Sequence, residues 1–307
     1  MTTSNSTNFS MNANDIISDA LRLIGVLGAG ETVDGDDYSL SLRQLNMMVK
    51  TWMVEGVKLW TETEGTVFLD SGKASYILGS SSADESTSSE LKTELSVALA
   101  ATNTAVTVDS TTGMTAADII GIAQDDGTMH WTTISTVDSS TTLTLASGIV
   151  SASSIDQHVY TYTTLMVKPL DISSVRVENS GGSATALSKM SRDDYFKLNN
   201  KSSVGLPRSF YYDRQRDNGK LYTYPITDDA MNRLRITFSR EIEDFDLSTD
   251  TADFPPEWAQ ALVWNLGVEL SPFFDREDKA TKFASKAAEI KFTLMNRDSE
   301  STSLKIR

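Results

Sequence analysis

Apolar residues recur at a helical period near both ends of this chain, whereas the long middle part alternates at a strand period. The first end predicts two helices, each with one apolar face. The apolar positions are Ile16, Ile17, Ala20, Leu21 and Ile24 in the first helix, and Tyr38, Leu42, Leu45, Val49 and Trp52 in the second. Asn12 or Asn14 caps the first helix, and Gly25 and Gly56 end the two segments, so we expect an antiparallel helical hairpin.

The opposite end predicts a second helical pair. Pro255 and Pro256 mark the start of its first helix, because the fixed φ of proline suits a first helical turn. The apolar positions are Trp258, Leu262, Leu266 and Leu270 in one helix, and Ala280, Phe283, Ala287, Ile290 and Leu294 in the other. We expect the two hairpins to pack together as a four-helix core.

Short strand-like runs separated by turn residues fill the middle of the chain. Asp126-Gly127 predicts a two-residue hairpin turn with positive φ at both residues, and Asn218-Gly219 predicts a second hairpin tip. Residues 80–90 (SSSADESTSSE) have the composition of a linker. The runs between 91 and 163 predict a small antiparallel β-barrel or sandwich that is inserted in the chain. The predicted fold class is therefore α+β.

These patterns divide the chain into four predicted parts. They are a flexible arm over 1–11, a core of helices and strands over 12–80 and 164–295, the inserted β-domain over 91–163, and a polar tail over 296–307. A long polar tail after a strongly periodic helix is typical of disorder, and the alternative is a segment that orders on a partner.

Composition narrows the function classes. The 307 residues include 27 Lys or Arg and 42 Asp or Glu, a formal net charge of −15. A chain this acidic is poorly suited to gripping duplex DNA or an anionic membrane, and it has no apolar run long enough to span a bilayer. It has no cysteine and only His130 and His158, which leaves little for thiol catalysis, a zinc site or a histidine triad. We therefore predict no cofactor, no metal and no catalytic residue.

One pair of carboxylates supports an enzyme as an alternative. Glu62 and Glu64 alternate in a strand and so share a face, as the acid and its partner would in a cell-wall hydrolase. A solvated strand face is the simpler explanation of the pair, and we prefer it. Paired aspartates occur at several other places, where helix caps and turns explain them better than calcium, since none has the spaced loop with a distal glutamate. They are Asp36-Asp37, Asp125-Asp126, Asp193-Asp194 and Asp228-Asp229.

One stretch of the sequence is basic, although the chain as a whole is acidic. Residues 189–240 hold eleven Lys or Arg and six Asp or Glu. Surface scatter is one explanation, and a face turned to an acidic partner, a neighbouring subunit or nucleic acid is the other. A chain with separated charges can associate head to tail, which is how rings close.

Three segments carry a resemblance to a known family. The first runs from NDIISDALRLIGVLGAGE to WMVEGVKLW, with Leu23–Val26 closing one helix, Asp34–Asp37 forming an acidic turn and Trp52–Trp60 closing the next helix. The second is SRDDYF followed by GLPRSFYYDRQ, and the third is IEDFD followed by DFPPEWA. In these segments the chain resembles the head-to-tail adaptors of tailed phages, a group that includes tail accessory factors, packaged-DNA stabilisation proteins and head completion connectors.

The resemblance implies a structural protein at the head-to-tail junction of the virion, assembled in the host cytoplasm. It implies a homo-oligomeric ring of twelve that docks under the portal, extends and helps close the DNA channel, and offers a platform to tail, nozzle or tail-fibre proteins. DNA would pass without sequence-specific binding, and no membrane would be involved. The residues implied to contact the portal lie in the tail, and the candidates are Asn296, Arg297, Ser303, Leu304, Lys305, Ile306 and Arg307.

A binding module remains as a second function class. The inserted β-domain over 91–163 would then recognise a host glycan or another virion protein. The insert offers few aromatic residues for a sugar, namely Trp131, Tyr160 and Tyr162, which disfavours the glycan.

Overall fold

The computed structural model describes residues 4–56, 59–79, 83–179 and 181–297, and these form a mixed α+β structure with more strands than helices. The chain forms two compact units. We call the part drawn from 1–61 and 241–307 the helical unit, and the part over 62–240 the sheet unit. The domain boundaries predicted from the sequence remain predictions.

The helix bounds follow the sequence signals closely. The helices are α1 Ala13–Ile24, α2 Gly35–Glu55, α3 Arg192–Phe196, α4 Ala259–Leu270 and α5 Glu277–Arg297, with short 3₁₀ turns at Leu59–Thr61, Pro256–Trp258 and Ser271–Phe274. Asn12 is the N-cap of α1 and forms a reciprocal capping box with Asp15. Asp34 caps α2, and left-handed glycines end α1 and α2, as predicted.

Three helices, together with the segment before α4, supply the core of the helical unit. Its buried residues are Ala13, Ile16, Ile17, Ala20, Leu21 and Ile24 of α1, Leu45, Met48, Val49 and Trp52 of α2, and Ile242, Phe245, Trp258, Ala261, Leu262, Leu266 and Leu270. By contrast, α5 has one fully buried residue, Ala287, and its Ile290 and Leu294 pack against the core while partly exposed. The predicted four-helix core is therefore not seen as such, because α5 covers the other helices more than it enters between them.

The sheet unit contains fifteen described strands. They are β1 Glu62–Phe68, β2 Ser75–Leu78, β3 Ser86–Thr87, β4 Leu91–Glu94, β5 Ala105–Thr107, β6 Ile119–Ala123, β7 Met129–Val137, β8 Thr142–Leu145, β9 His158–Tyr162, β10 Asp171–Glu178, β11 Ala184–Ala186, β12 Ser188–Lys189, β13 Ser209–Arg214, β14 Gly219–Tyr224 and β15 Arg233–Ser239. They form a five-stranded sheet (β11-β10-β15-β1-β3), a four-stranded sheet (β12-β13-β14-β2) and a six-stranded sheet (β4-β9-β6-β7-β8-β5).

The five-stranded and four-stranded sheets share one apolar core. Val67, Val175 and Phe238 come from the first sheet, and Tyr76 and Phe210 come from the second. The two sheets therefore bury the same cluster, as in a sandwich. On the opposite face of the four-stranded sheet, Tyr195 of α3 packs against Tyr211 and Tyr222.

The six-stranded sheet has its own core and joins its own edges. Leu95, Ile120 and Val159 are fully buried within it. The amide of Ser96, just after β4, donates to the carbonyl of Thr107 in β5 at 3.0 Å, so the two edge strands meet. Joining the edges removes unpaired strand edges from solvent.

Two predicted turns differ from the structure. Gly127 has a φ of +81°, but Asp126 does not have a positive φ, and residues 125–127 form a three-residue loop with glycine in the left-handed position. Gly219 is the first residue of β14 and not a hairpin tip. Its missing side chain makes room for Tyr212, since a Cβ there would lie 1.9 Å from the Tyr212 hydroxyl oxygen.

The predicted linker at 80–90 is part of the fold over its described residues, 83–90. Ser86 and Thr87 are buried and pair with β1. A carboxylate oxygen of Asp84 accepts from the amide of Ile77 at 2.6 Å. Serine and threonine composition predicted a loose segment, whereas here the polar side chains and backbone are satisfied by neighbouring strands.

Candidate interaction surfaces

The predicted portal-contacting residues fall only partly within the described chain. Asn296 and Arg297 lie in the last turn of α5, so the helix extends two residues into the predicted tail. Ser303, Leu304, Lys305, Ile306 and Arg307 lie outside the described residues. The structure therefore shows how the tail begins, and its role as a contact stays a prediction.

The C-terminal half of α5 is anchored on α2. The ammonium of Lys291 bonds to the carboxylate of Glu55 and lies 4.9 Å above the ring of Trp52. Two apolar side chains on the same two helices are exposed, Val54 at 88% and Phe292 at 67%. This end of the helical unit combines a fixed helix with uncovered apolar side chains, as protein interfaces do.

The outer face of the four-stranded sheet carries a cluster of aromatic rings. Helix α3, capped by Ser191, holds Tyr195 and Phe196 beside the sheet. Tyr211 of β13 and Tyr222 of β14 stack at a centroid separation of 5.6 Å, and Tyr195 lies 4.8 Å from Tyr222. Phe196 remains 47% exposed. Burial raises the pKa of the Tyr195 hydroxyl above its ordinary value, with Tyr222 adding to the rise.

Cations surround these rings. Arg192 and Lys201 lie 5.4 and 5.5 Å from the centroid of Phe196, and Lys220 lies 5.2 Å from that of Tyr222. Cation–π contacts at such exposed positions contribute about 0.5–1 kcal/mol each. We call the rings Tyr195, Phe196, Tyr211 and Tyr222, together with Arg192, Lys201 and Lys220, the basic aromatic patch.

The helical unit carries a surface of opposite charge. Residues 241–253, which we call the acidic segment, contain no Lys or Arg and six carboxylates: Glu241, Glu243, Asp244, Asp246, Asp250 and Asp253. Lys50 of α2 bonds to Asp244 at 2.6 Å. Beside it, an open depression of about 510 Å³ is lined by residues of α2 and of the acidic segment. Leu247 projects from the segment and is 64% exposed.

Part of the basic excess over residues 189–240 is internal. Arg233 and Arg235 lie in β15, and both pair with Glu178 of β10, at 2.7 and 3.2 Å. Arg235 also pairs with Glu90, which is 8% exposed. These two guanidinium groups form ion pairs with carboxylates inside the sheet unit. We therefore do not count them among the cations that another molecule could contact. The count of charges along the sequence could not separate them from the exposed cations.

The insert aromatics expected for a glycan are packed inside the sheet unit. Tyr160 and Tyr162 are 3% and 2% exposed. Phe68 of β1 lies 5.1 Å from the ring of Tyr160 and 4.8 Å from that of Trp131. These rings form a junction between the six-stranded and five-stranded sheets, so the few aromatic residues of the insert offer little surface to a sugar.

The candidate enzyme carboxylates lie on an exposed strand face. Glu62 and Glu64 are both exposed on β1, and Glu64 pairs with Arg176 of β10. The aspartate doublets act in caps and turns where the structure records their contacts: Asp126 accepts from the amide of Thr128, and Asp229 from that of Met231. No group of three or more metal-ligating side chains is found among the described residues.

The comparisons with known proteins decide the family. A sequence model described as "SU10 adaptor protein" matches residues 86–307, more than half of the chain. The chain belongs to the SU10 adaptor protein family. Membership makes it a phage adaptor-type protein and supports a structural role in the virion.

The other comparisons add little to the family. No curated protein matches the sequence. Among solved structures, VP17, a capsid protein of bacteriophage P23-77, is similar at 11% identity over 57% of this chain and 78% of that chain, with a TM-score of 0.13. A TM-score this low does not indicate a common fold. No helix in the described part of the SU10 adaptor chain is long and apolar enough to cross a bilayer.

Proposed function

We propose that this protein is a head-to-tail adaptor that forms a ring under the portal of a tailed phage. The ring extends and helps close the DNA channel, and it provides the platform for tail, nozzle or tail-fibre proteins. The observation that carries the proposal is the family match over residues 86–307. We propose no catalytic step, and twelve copies is the number that the resemblance implies.

The negative net charge of the chain supports the proposed role as part of a DNA channel. A net charge of −15 gives a ring wall that repels the phosphates of passing DNA and does not hold them. The 42 Asp and Glu residues are spread along the whole chain.

The C-terminal tail is the proposed portal contact. Lys291 fixes α5 on α2, so the tail leaves from a defined helix end at Arg297. In this proposal the segment from Asn296 to Arg307 docks on the portal, with Leu304 and Ile306 as its apolar side chains. Docking of a short segment at a fixed point concentrates the contact where the ring meets the portal.

Native mass spectrometry of the chain, alone and mixed with its portal, tests the ring. Closed species near twelve copies support the adaptor, whereas a monomer or dimer that ignores the portal overturns it. Deleting residues 298–307 is expected to weaken portal binding without lowering the melting temperature. A matched control deletes residues 2–8 at the other end of the chain. Equal portal binding by the two deletion variants would show that the tail is not a portal contact.

A further inference from the structure

The basic aromatic patch is a surface that the proposed function has not used. Lys201 and Lys220 have no carboxylate partner among the described residues, although the chain as a whole is strongly acidic. Two exposed apolar side chains follow in the loop after α3, Val204 at 58% and Leu206 at 44%. The ammonium of Lys201 donates to the carbonyl of Phe196 at 3.1 Å. An exposed apolar loop beside cations that lack a carboxylate partner has the composition of an interface that takes an acidic and apolar partner.

The acidic segment offers the complementary chemistry. Within the described chain, the carboxylates of Glu243 and Asp246 have no cationic partner, and both side chains are exposed. Leu247 stands beside them, and Met47 of α2 lines the adjoining depression with 49% of its surface exposed. The segment therefore presents apolar side chains beside acids without a cationic partner, and the patch on the sheet unit presents apolar side chains beside two lysines without a carboxylate partner.

We propose that the basic aromatic patch of one copy docks on the acidic segment of a second copy. The inference rests on the proposed ring and assigns the surfaces by which its subunits meet. The two surfaces differ, so the contact is heterologous and each subunit uses both of them, which is the arrangement that a closed ring requires. Lys201 and Lys220 face Glu243 and Asp246 of the neighbour, while Phe196 and Leu247 provide the apolar contact.

Charge complementarity sets the register of this contact. Opposite charges on the two surfaces steer subunits together and penalise the alternative pairings of like with like. Solvent screens such pairs, so assembly through this interface weakens as ionic strength rises.

A charge exchange tests the assignment. One variant carries Lys201→Glu and Lys220→Glu, and a second carries Glu243→Lys and Asp246→Lys. Each variant alone brings like charges together and is expected to raise the concentration needed for assembly at least tenfold, with or without the portal. A mixture of the two is expected to recover assembly, because every junction then pairs a wild-type surface with its wild-type complement or a reversed surface with a reversed one.

A matched control keeps the same change in net charge outside both surfaces. Arg216→Glu with Lys286→Glu alters two exposed cations and is expected to assemble like the wild type. Assembly of both exchanged variants at the wild-type concentration would overturn the inference and leave the adaptor standing. Failure of the wild type to assemble, alone and with the portal, would overturn both.

Cysteine pairing provides an independent measurement if an exchanged variant misfolds. The chain has no cysteine, so Phe196→Cys and Leu247→Cys introduce the only thiols. Mixing the two single variants under mild oxidation is expected to give covalent heterodimers. Absence of these heterodimers in preparations that still assemble would overturn the inference.

Discussion

The guanidinium of Arg233 lies over the ring of Tyr160, 5.0 Å from its centroid, while its Nη2 donates to Glu178 at 2.7 Å. Tyr160 belongs to the six-stranded sheet, and Arg233 and Glu178 belong to the five-stranded sheet. One side chain thus joins a buried ion pair to the aromatic junction around Phe68. The junction holds the six-stranded sheet against the five-stranded sheet through the cation–π contact of Arg233 and through the buried aromatic rings.

Replacing Arg233 by alanine is expected to destabilise the sheet unit. The substitution leaves Glu178 and Glu90 with Arg235 alone, and removing one partner from a buried ionic group costs about 3 kcal/mol in free energy of unfolding. Urea denaturation followed by circular dichroism measures the change. Arg216→Ala is the matched control, since Arg216 is 95% exposed in its side chain and is expected to change little. Equal midpoints for the two variants would contradict the role of Arg233.

Glu85 is expected to make stability depend on pH. Burial raises the pKa of its carboxyl group above the ordinary value, with Asp70 and Asp84 adding to the rise, while a hydrogen bond from Tyr162 opposes it. The folded protein therefore holds this proton more tightly than the unfolded chain does. Stability then falls as pH rises from the ordinary carboxyl pKa of 4.5 through the raised one.

A glutamine at this position isolates the effect. Glu85→Gln can still accept from the Tyr162 hydroxyl but cannot ionise, so the variant lacks the fall in stability. The melting temperature of Glu85→Gln minus that of the wild type is expected to increase between about pH 4 and about pH 7. Taking the difference removes the opposite contribution of groups such as Glu178, whose pKa is lowered by Arg233 despite burial. A difference that stays constant with pH would contradict the prediction.

Gly121 is expected to be intolerant of a side chain because Trp131 lies across it. A Cβ at this position of β6 would lie 2.4 Å from the indole ring of Trp131 in β7. Gly121→Ala must displace the ring from Phe68, at a cost of about 1–3 kcal/mol. Near-ultraviolet circular dichroism and urea denaturation check this result. Gly35→Ala is the control, since a Cβ there meets nothing within 4 Å and α2 starts at that residue.

Lys291 is expected to hold the end of α5 in place. Lys291→Ala removes both the bond to Glu55 and the contact with the Trp52 ring, and should lower the free energy of unfolding by about 1 kcal/mol. Hydrogen exchange in the last turns of α5 should rise in the same variant. Lys286→Ala, on the same helix but 51% exposed, serves as the control. Unchanged exchange at residues 291–297 in Lys291→Ala would show that other contacts fix the helix.

The helices were the most predictable part of the fold. The apolar faces of α1 and α4, the N-cap Asn12 and the glycine ends all depend on neighbours within one or two turns. The burial of α5 differs from its prediction. Its periodic apolar face predicts a buried stripe, but only Ala287 is fully buried. A stripe indicates which face is covered but not how deeply.

Features that depend on distant residues were missed. Ser86 and Thr87 look like linker residues until β1 is placed beside them, and Gly219 looks like a turn until Tyr212 is placed over it. The aromatic junction joins residues about 60 to 90 positions apart, such as Phe68 and Tyr160, which no local pattern links. The charge count along the sequence reveals the basic stretch, but only the strand pairing separates its internal cations, such as Arg233, from its exposed ones.

Strand pairing also brings the two ends of each of two nested segments together. Glu62, where the sheet unit starts, pairs with Ser239, next to its last residue, and Leu91 pairs with Thr161 at the two ends of the six-stranded sheet. Opposed residues of an antiparallel pair have Cα atoms only about 5 Å apart, so a short turn can close the gap that either segment would leave. Each segment therefore leaves and re-enters the rest of the chain at neighbouring points, and the segment of the six-stranded sheet is nested inside the segment of the sheet unit.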